Sequence, residues 1–366
     1  MLQRGLKGVI AAETEIGEVD GNNGRLIYRG YEIRELTKDK SFEEVAYLLW
    51  YGELPNQVQL TSFKETFYKN RVLTKEMKQV LDVLPKDMNM MSTIRTVISA
   101  AGIPAFGWKP TIEQAIQLTA LVPTIIAYRK RMQEGKAFLP SNDALGHVAN
   151  YLYMINGTPP LSEHVSALET YMILTMEHGM NASTFSARVT ASTESDIVSA
   201  ITSAIGTMKG PLHGGAPAEV IALLDEVVSV RDLESYLREK IQRGEKLMGF
   251  GHRVYKTHDP RAVALKKQLL QSVGKDDWLD LALHVEEVAT KVLQEEKPGR
   301  ALYTNVEFYA AAIMKAIKME TELFTPTFTA SRMVGWTAHV LEQAENNTIF
   351  RPLSKYVGKI RAVDVR

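Results

Sequence analysis

Histidine and arginine at glycine-flanked turns are the residues of this chain best suited to chemistry on carboxylates and carbonyls. Of its eight histidines, His213 stands in Gly210-Pro211-Leu212-His213-Gly214-Gly215-Ala216, a tight turn ahead of a predicted helix. The positive end of a helix dipole favours a neutral imidazole, whose N–H can donate to a developing oxyanion. His252 lies in a second glycine-paired turn, Gly249-Phe250-Gly251-His252-Arg253-Val254-Tyr255-Lys256. Just beyond it Asp259 reads as an N-cap and Pro260 as the first helical residue. Arg261 is then held rigidly in a first turn, a fixed fork for bidentate recognition of a carboxylate, with Lys256 as a compact cation nearby. His178 follows Glu177 at the end of an apolar helical run and precedes the polar turn Gly179-Met180-Asn181-Ala182-Ser183. Taken singly, each has an ordinary reading as a cap or hydrogen-bonded structural residue. His164, His258, His284 and His339 lack a comparable setting and keep that reading.

The usual motif searches prune the alternatives. Gly249-Phe250-Gly251 lacks the third glycine of a dinucleotide fingerprint, and no Walker loop, Gly-x-Ser-x-Gly elbow or His-Glu-x-x-His pair occurs. With no cysteine, thiol nucleophiles, thiolate metal sites and disulfides are excluded together, and no metal is expected. Forty-three basic residues against 43 acidic ones leave no net field to draw nucleic acid or an anionic membrane. Neither a signal-peptide apolar run nor an uncharged stretch of about 18 apolar residues is present, so a cytoplasmic protein is expected.

The elements that position these turns read as helical. The first 40 residues are rich in glycine, and Asp20-Gly21-Asn22-Asn23-Gly24 before Arg25-Leu26-Ile27-Tyr28 predicts a short hairpin or extended arm. From Ser41 the texture becomes helical, since Ser41 with Glu44 forms a capping box and Thr111 with Gln114 repeats it ahead of a run ending near Arg131. Further helical patterning covers about 61–84, 90–102, 142–156, 162–178, 193–208, 216–229, 232–243, 276–296, 305–318 and 331–346. Pro and Gly punctuate these runs without a flexible linker, so any two domains are joined by tight turns. Candidate crossing points are the turn at 206–215 and either the segment 298–304 or a loop at Pro326.

Together these segments resemble the citrate synthase family, from Gly5 to about Arg351. The family signature is met without a gap from Gly249 to Arg261. It is flanked in the right order by Gly5-Leu6-Lys7-Gly8-Val9, Leu26-Ile27-Tyr28-Arg29-Gly30, His178 to Ser183, Gly210 to Ala216, Asn305-Val306-Glu307-Phe308-Tyr309 and Phe350-Arg351-Pro352. The resemblance implies an all-α, two-domain multi-helical fold with a short extended N-terminal segment. It implies a large domain of residues 1–216 and 322–366 and a small inserted domain of 217–321. It also implies a homodimer of the short form, without the extension of the hexameric form, and condensation of acetyl-CoA with oxaloacetate followed by hydrolysis of citryl-CoA, with no bound cofactor.

Carried over residue by residue, the resemblance makes His213 the donor to the thioester oxygen and His252 the group that polarises the ketone of oxaloacetate. His178, Arg261 and Arg332 would hold the oxaloacetate carboxylates, and Arg351 would reach the site across the dimer interface. The backbone of Met248, Gly249, Phe250 and Gly251 would recognise adenine, while Lys256 and Asn305 would contact CoA. Glu307 matches the catalytic base, a position the family usually fills with Asp, and the extra methylene moves the carboxylate by about 1 Å. Two rival readings share these groups: a 2-methylcitrate synthase using propionyl-CoA, and a weakly catalytic acyl-CoA-binding or regulatory homologue. A single methylene in an apolar pocket separates acyl donors by only about 1 to 3 kcal/mol.

Overall fold

The computed structural model of the protein describes residues 3–214, 216–252, 254–272, 277–300 and 302–361; Gly215 and Arg253 of the predicted turns, and the last five residues of the predicted large domain, lie outside these. The predicted hairpin is a three-stranded antiparallel sheet, β1 (Gly17–Asp20), β2 (Arg25–Tyr28) and β3 (Tyr31–Glu32), with Gly17 opposite Tyr28 and Asp20 opposite Arg25. Asp20 closes its turn by accepting the N–H groups of Asn22 and Asn23 at 3.1 and 3.0 Å. The hairpin has two anchor points. The Tyr28 hydroxyl donates to the Glu177 carbonyl at 2.8 Å, and the Gly21 carbonyl accepts the Lys256 N–H at 2.8 Å. It thus touches both the turn that carries His178 and the segment that carries His252.

The rest is helical: α1 (Ile33–Asp39), α2 (Phe42–Tyr51), α3 (Gln57–Lys69), α4 (Lys75–Val83), α5 (Met90–Ala100), α6 (Ile112–Gln133), α7 (His147–Asn156) and α8 (Ser162–Thr175) come first. Then follow α9 (Ala182–Ala191), α10 (Ile197–Met208), α11 (Ala216–Val227), α12 (Leu233–Gln242), α13 (Pro260–Ser272), α14 (Asp277–Glu296), α15 (Val306–Ala316) and α16 (Phe324–Glu345). Both predicted capping boxes form: Glu44 Oε2 accepts the Ser41 N–H at 2.9 Å, and Gln114 Oε1 accepts the Thr111 N–H at 3.0 Å.

Three boundaries differ from expectation. The run at 61–84 is two helices, because Thr74 starts a new one by accepting the Met77 N–H at 3.2 Å. Helix α9 has no counterpart in the sequence pattern, since its small polar sequence Ala-Ser-Thr-Phe-Ser-Ala-Arg-Val-Thr-Ala carries little apolar periodicity; Asn181 caps it. The expected loop at Pro326 is the first turn of α16, where a missing N–H leaves no intrahelical bond unmade.

Helix α16 runs through the core. Its Trp336, Thr337, Arg332 and His339 are all at most 1% exposed, and α6, α8, α9 and α10 pack against it. A helix that buries Arg and His together is an unusual core element, because such groups enter an apolar interior only when partnered or functional. Among the described residues no helix is long and apolar enough to cross a membrane.

Candidate active site

Three turns and three helices converge here. The Glu177–Asn181 turn after α8 carries His178, the turn before α11 carries His213, and α16 presents Arg332. From the other side come His252, Arg261 at the second position of α13, and Glu307 at the second position of α15. The rings of His178 and His252 lie 5.5 Å apart, and both contact Tyr255, His178 edge-on and His252 tilted; the Tyr255 hydroxyl is 3.2 Å from His178 Nε2. An Arg261 amino group is 3.3 Å from His252 Nε2.

Arg261 is fixed as the Asp259–Pro260 pair predicted. Asp259 Oδ1 accepts its backbone N–H and its Nε, both at 3.0 Å, and Oδ2 accepts a terminal amino group at 2.8 Å. Burial alone would raise the Asp259 carboxyl, but Arg261 outweighs it and the group stays below the usual carboxylate range. Asp259 does one thing more, accepting the Val306 N–H at 3.1 Å and so joining the start of α15 to Arg261. Arg332 is different. It donates from Nε to the Thr175 carbonyl at 2.6 Å, yet no carboxylate among the described residues lies within ion-pair distance. It is a buried cation without a direct counter-ion, the setting in which a carboxylate ligand is bound most strongly.

The three histidines are neutral, as expected for His213, and burial and nearby cations depress all of them. Burial, then the field of Arg332, lowers His213 to about 4, and burial followed by Arg261 lowers His252 to about 4. His178 is pushed well below the usual imidazole value by burial, then by Arg261, His252 and Arg332. Glu307 moves the other way: burial raises its carboxyl, Asp259 adds to this, Arg261 and Arg332 oppose it, and the result is about 7.

The segment predicted to face CoA is built around glycine. Gly249 and Gly251 have φ of 86° and 80°, and a Cβ on either would lie 2.9 Å from the Phe308 ring or 2.8 Å from Leu302. Asn305 caps α15 through the Glu307 N–H at 3.0 Å and donates from Nδ2 to the Gly251 carbonyl at 2.9 Å. Its side chain is therefore first of all a brace between the His252 turn and Glu307. Met248 is half-buried against the core and Lys256 is exposed.

The model of the citrate synthase C-terminal domain matches residues 5–353. The chain belongs to the citrate synthase family. Over 98% of its length it is 38% identical to the citrate synthase of Haloferax volcanii, covering 96% of that protein. It is also 38% identical to the 2-methylcitrate synthase of Shewanella oneidensis, over 97% of this chain and 94% of that one. A solved structure of the citrate synthase of Thermoplasma acidophilum, in ternary complex with carboxymethyl coenzyme A and oxaloacetate, superposes with a TM-score of 0.89 at 30% identity, covering 100% of this chain and 98% of that one. This citrate synthase homologue is thus a condensing acyltransferase with the all-α fold of its family.

Hydrogen bonds fix one tautomer in the citrate synthase site. His252 Nδ1 accepts the N–H groups of Val254 and Tyr255 at 3.0 and 3.1 Å, so in the neutral ring the proton sits on Nε2. His213 Nε2 is 2.7 Å from the Ser183 hydroxyl, which also receives Trp336 Nε1 at 3.0 Å and lies 2.8 Å from Asn181 Oδ1. The hydroxyl has one proton for two acceptors: given to Nε2, it leaves His213 Nδ1 as a donor; given to Asn181, it makes Nδ1 an acceptor.

Arg351 is not brought to this group; it is exposed on the chain that follows α16. Sequence reasoning also misses several partners. Ser183, Asn181, Tyr255 and Trp336 are invisible in it as functional groups, because they act through contacts between distant helices. Asp259 reads only as a cap. His339, assigned an ordinary role, is fully buried, with Nδ1 accepting from Arg188 Nε at 3.0 Å and Nε2 3.1 Å from Glu177.

Proposed function

We propose that the enzyme condenses acetyl-CoA with oxaloacetate and hydrolyses the citryl-CoA formed. The observation that carries this reading is the pairing of a carboxylate pushed up to about 7, Glu307, with a neutral imidazole and two buried arginines, Arg261 and Arg332. A base near pH 7 is matched to removal of a weakly acidic α-proton. Glu307 takes a proton from the methyl carbon of the thioester while His213 Nδ1–H hydrogen-bonds the carbonyl oxygen and stabilises the enolate. The enolate carbon then attacks the oxaloacetate ketone, whose oxygen accepts a hydrogen bond from His252 Nε2–H and, as the new C–C bond forms, takes up through His252 the proton that Glu307 removed. Water finally attacks the citryl thioester carbonyl and the CoA thiolate leaves as the thiol. His178, Arg261 and Arg332 orient the two carboxylates, which buried without cations would be prohibitively costly.

The Thermoplasma relative holds oxaloacetate and a CoA analogue, which supports the same substrate pair here. We place CoA along the backbone of Met248 to Gly251, with Lys256 and Asn305 alongside. The small domain would be 217–321, consistent with α11 and α14 packing on α15. Arg351 would complete the site of a second copy in a homodimer, consistent with its exposure on this one, and the protein would work in the cytoplasm. The similarity to a 2-methylcitrate synthase keeps propionyl-CoA as the second reading. Thiol release with oxaloacetate and either acyl-CoA tests it: kcat/KM should be higher with acetyl-CoA, and a preference for propionyl-CoA, or no turnover with either, would reject the reading.

A further inference from the structure

Glu286, in the middle of α14, brackets the residue assigned above as the base. Its Oε1 accepts the Thr304 hydroxyl at 2.7 Å, and its Oε2 accepts the Tyr309 hydroxyl at 2.5 Å and Lys266 Nζ at 2.5 Å. Thr304 precedes Glu307 by three residues and pairs by an isolated bridge with Phe250 in the glycine turn. Tyr309 follows Glu307 by two residues, in the first turn of α15. Lys266 belongs to α13, the helix that carries Arg261 in its first turn. One carboxylate thus ties together the helix of the oxaloacetate arginine, the approach to α15 and its first turn.

We infer that Glu286 is a positioning residue for Glu307, holding the Thr304–Tyr309 segment so that the Glu307 carboxylate meets the acyl carbon at the right distance. Two of its oxygen contacts lie on either side of Glu307, so they oppose both a slide of α15 along its axis and a rotation about it. Cutting only one side leaves the other as a pivot. Asn305 and Asp259 fix the backbone of the same turn through the Glu307 and Val306 N–H groups, but they contact only the backbone at the helix start. Glu286 is the anchor on the side facing α14. Its charge makes the anchor strong, because burial would raise the carboxyl but Lys266, Tyr309 and Thr304 outweigh this and keep it ionised. A displacement of about 1 Å at a reacting group costs on the order of 100-fold in rate.

The inference rests on Glu307 being the base, and the test separates the two. Glu286→Gln, Glu286→Ala, Tyr309→Phe and Thr304→Val are compared with Glu307→Gln in three readouts: kcat, the kinetic isotope effect with deuterated acetyl-CoA, and the affinity for oxaloacetate. Glu286→Ala should lower kcat by about 10- to 100-fold, raise the isotope effect as proton removal becomes limiting, and leave oxaloacetate affinity within about twofold. Tyr309→Phe and Thr304→Val should each give a smaller loss of the same kind, which keeps the test valid if Glu286→Ala fails to fold. A purely structural Glu286 would instead lower the melting temperature with kcat and isotope effect unchanged in the folded enzyme, and that result overturns the inference. If Glu307→Gln itself turns over normally, the assignment of the base falls. If Glu307→Gln is inactive while the Glu286, Tyr309 and Thr304 variants behave as wild type, the positioning role alone falls.

Discussion

The pH dependence of the condensation tests which group of the site must ionise for it to work. An acid limb near pH 7 in an enzyme with three site histidines would ordinarily be given to an imidazole. Here His213 and His252 lie near 4, and burial pushes His178 well below the usual imidazole value, so no imidazole of the site supplies a limb near 7. Glu307 does, at about 7. A general base works only ionised, so kcat/KM for the acyl-CoA should fall through pH 7 and lose about tenfold for each further unit of acid, reaching about 1% of its plateau near pH 5. An unperturbed Glu would keep the profile flat to about pH 5.5. Glu307→Gln should lower kcat by at least about 100-fold with oxaloacetate binding retained, and the residual rate should have no limb near 7. Measuring the profile at two temperatures identifies the group, because carboxyl ionisation has almost no enthalpy and imidazole ionisation has a large one. A limb that shifts strongly with temperature, or one that survives in Glu307→Gln, would refute the argument.

Arg332→Met should weaken oxaloacetate by more than about 100-fold, from the 3 to 5 kcal/mol expected when one partner of a buried charge contact is lost, and titration calorimetry reads it directly. A change below tenfold would mean that Arg332 is a core residue and no ligand group. Mixed dimers of Arg351→Ala and Arg261→Ala subunits should regain activity above either parent, because one of the two sites would be intact; no rescue would place Arg351 outside its partner's site. His147→Phe should lessen acid lability. His147 is buried and stacked on Phe42 at 4.6 Å with neither ring nitrogen partnered, and burial holds its imidazole well below the usual value. The unfolded chain therefore binds this proton more readily, and stability is lost as pH falls below about 6.5. Melting curves between pH 4.5 and 7 should be flatter for the variant, and an unchanged slope would exclude His147 as a contributor.

Turn chemistry and caps are the most legible features of this chain, because they are decided within four or five residues. Ser41 with Glu44, Thr111 with Gln114, and Asp20 in the hairpin turn all act as their local sequence indicates. The Asp259–Pro260–Arg261 start of α13 belongs to the same class, and it delivers a site residue as well as a helix. Where local signals are weak the reading fails. Helix α9 is held by Asn181 and by packing on α10 and α16, which no periodicity in its small polar residues announces. The proline at 326 reads as a breaker because its position within a helix cannot be known until the start of that helix is known.

The site follows the same division, with one reversal. The residue types of His213, His252, Arg261 and Glu307 point to the chemistry, but the forces that tune them come from residues far off in sequence. The dipole argument for a neutral His213 has the right direction, and burial and Arg332, 119 positions along the chain, act the same way. An ordinary carboxylate at Glu307 is the natural reading from its place in a first helical turn, where a helix dipole would lower it. The fold inverts this. Enclosure of the α15 N-terminus and the nearby Asp259 lift the carboxyl, and the same Asp259 that neutralises Arg261 removes much of the cation that would have pulled it down. On the proposed function, the pairing of Asp259 with Arg261 would serve both substrates at once. It would fix the fork for a carboxylate of oxaloacetate and leave the base strong enough to act on the acyl thioester, and only the second effect requires the three-dimensional arrangement to be seen.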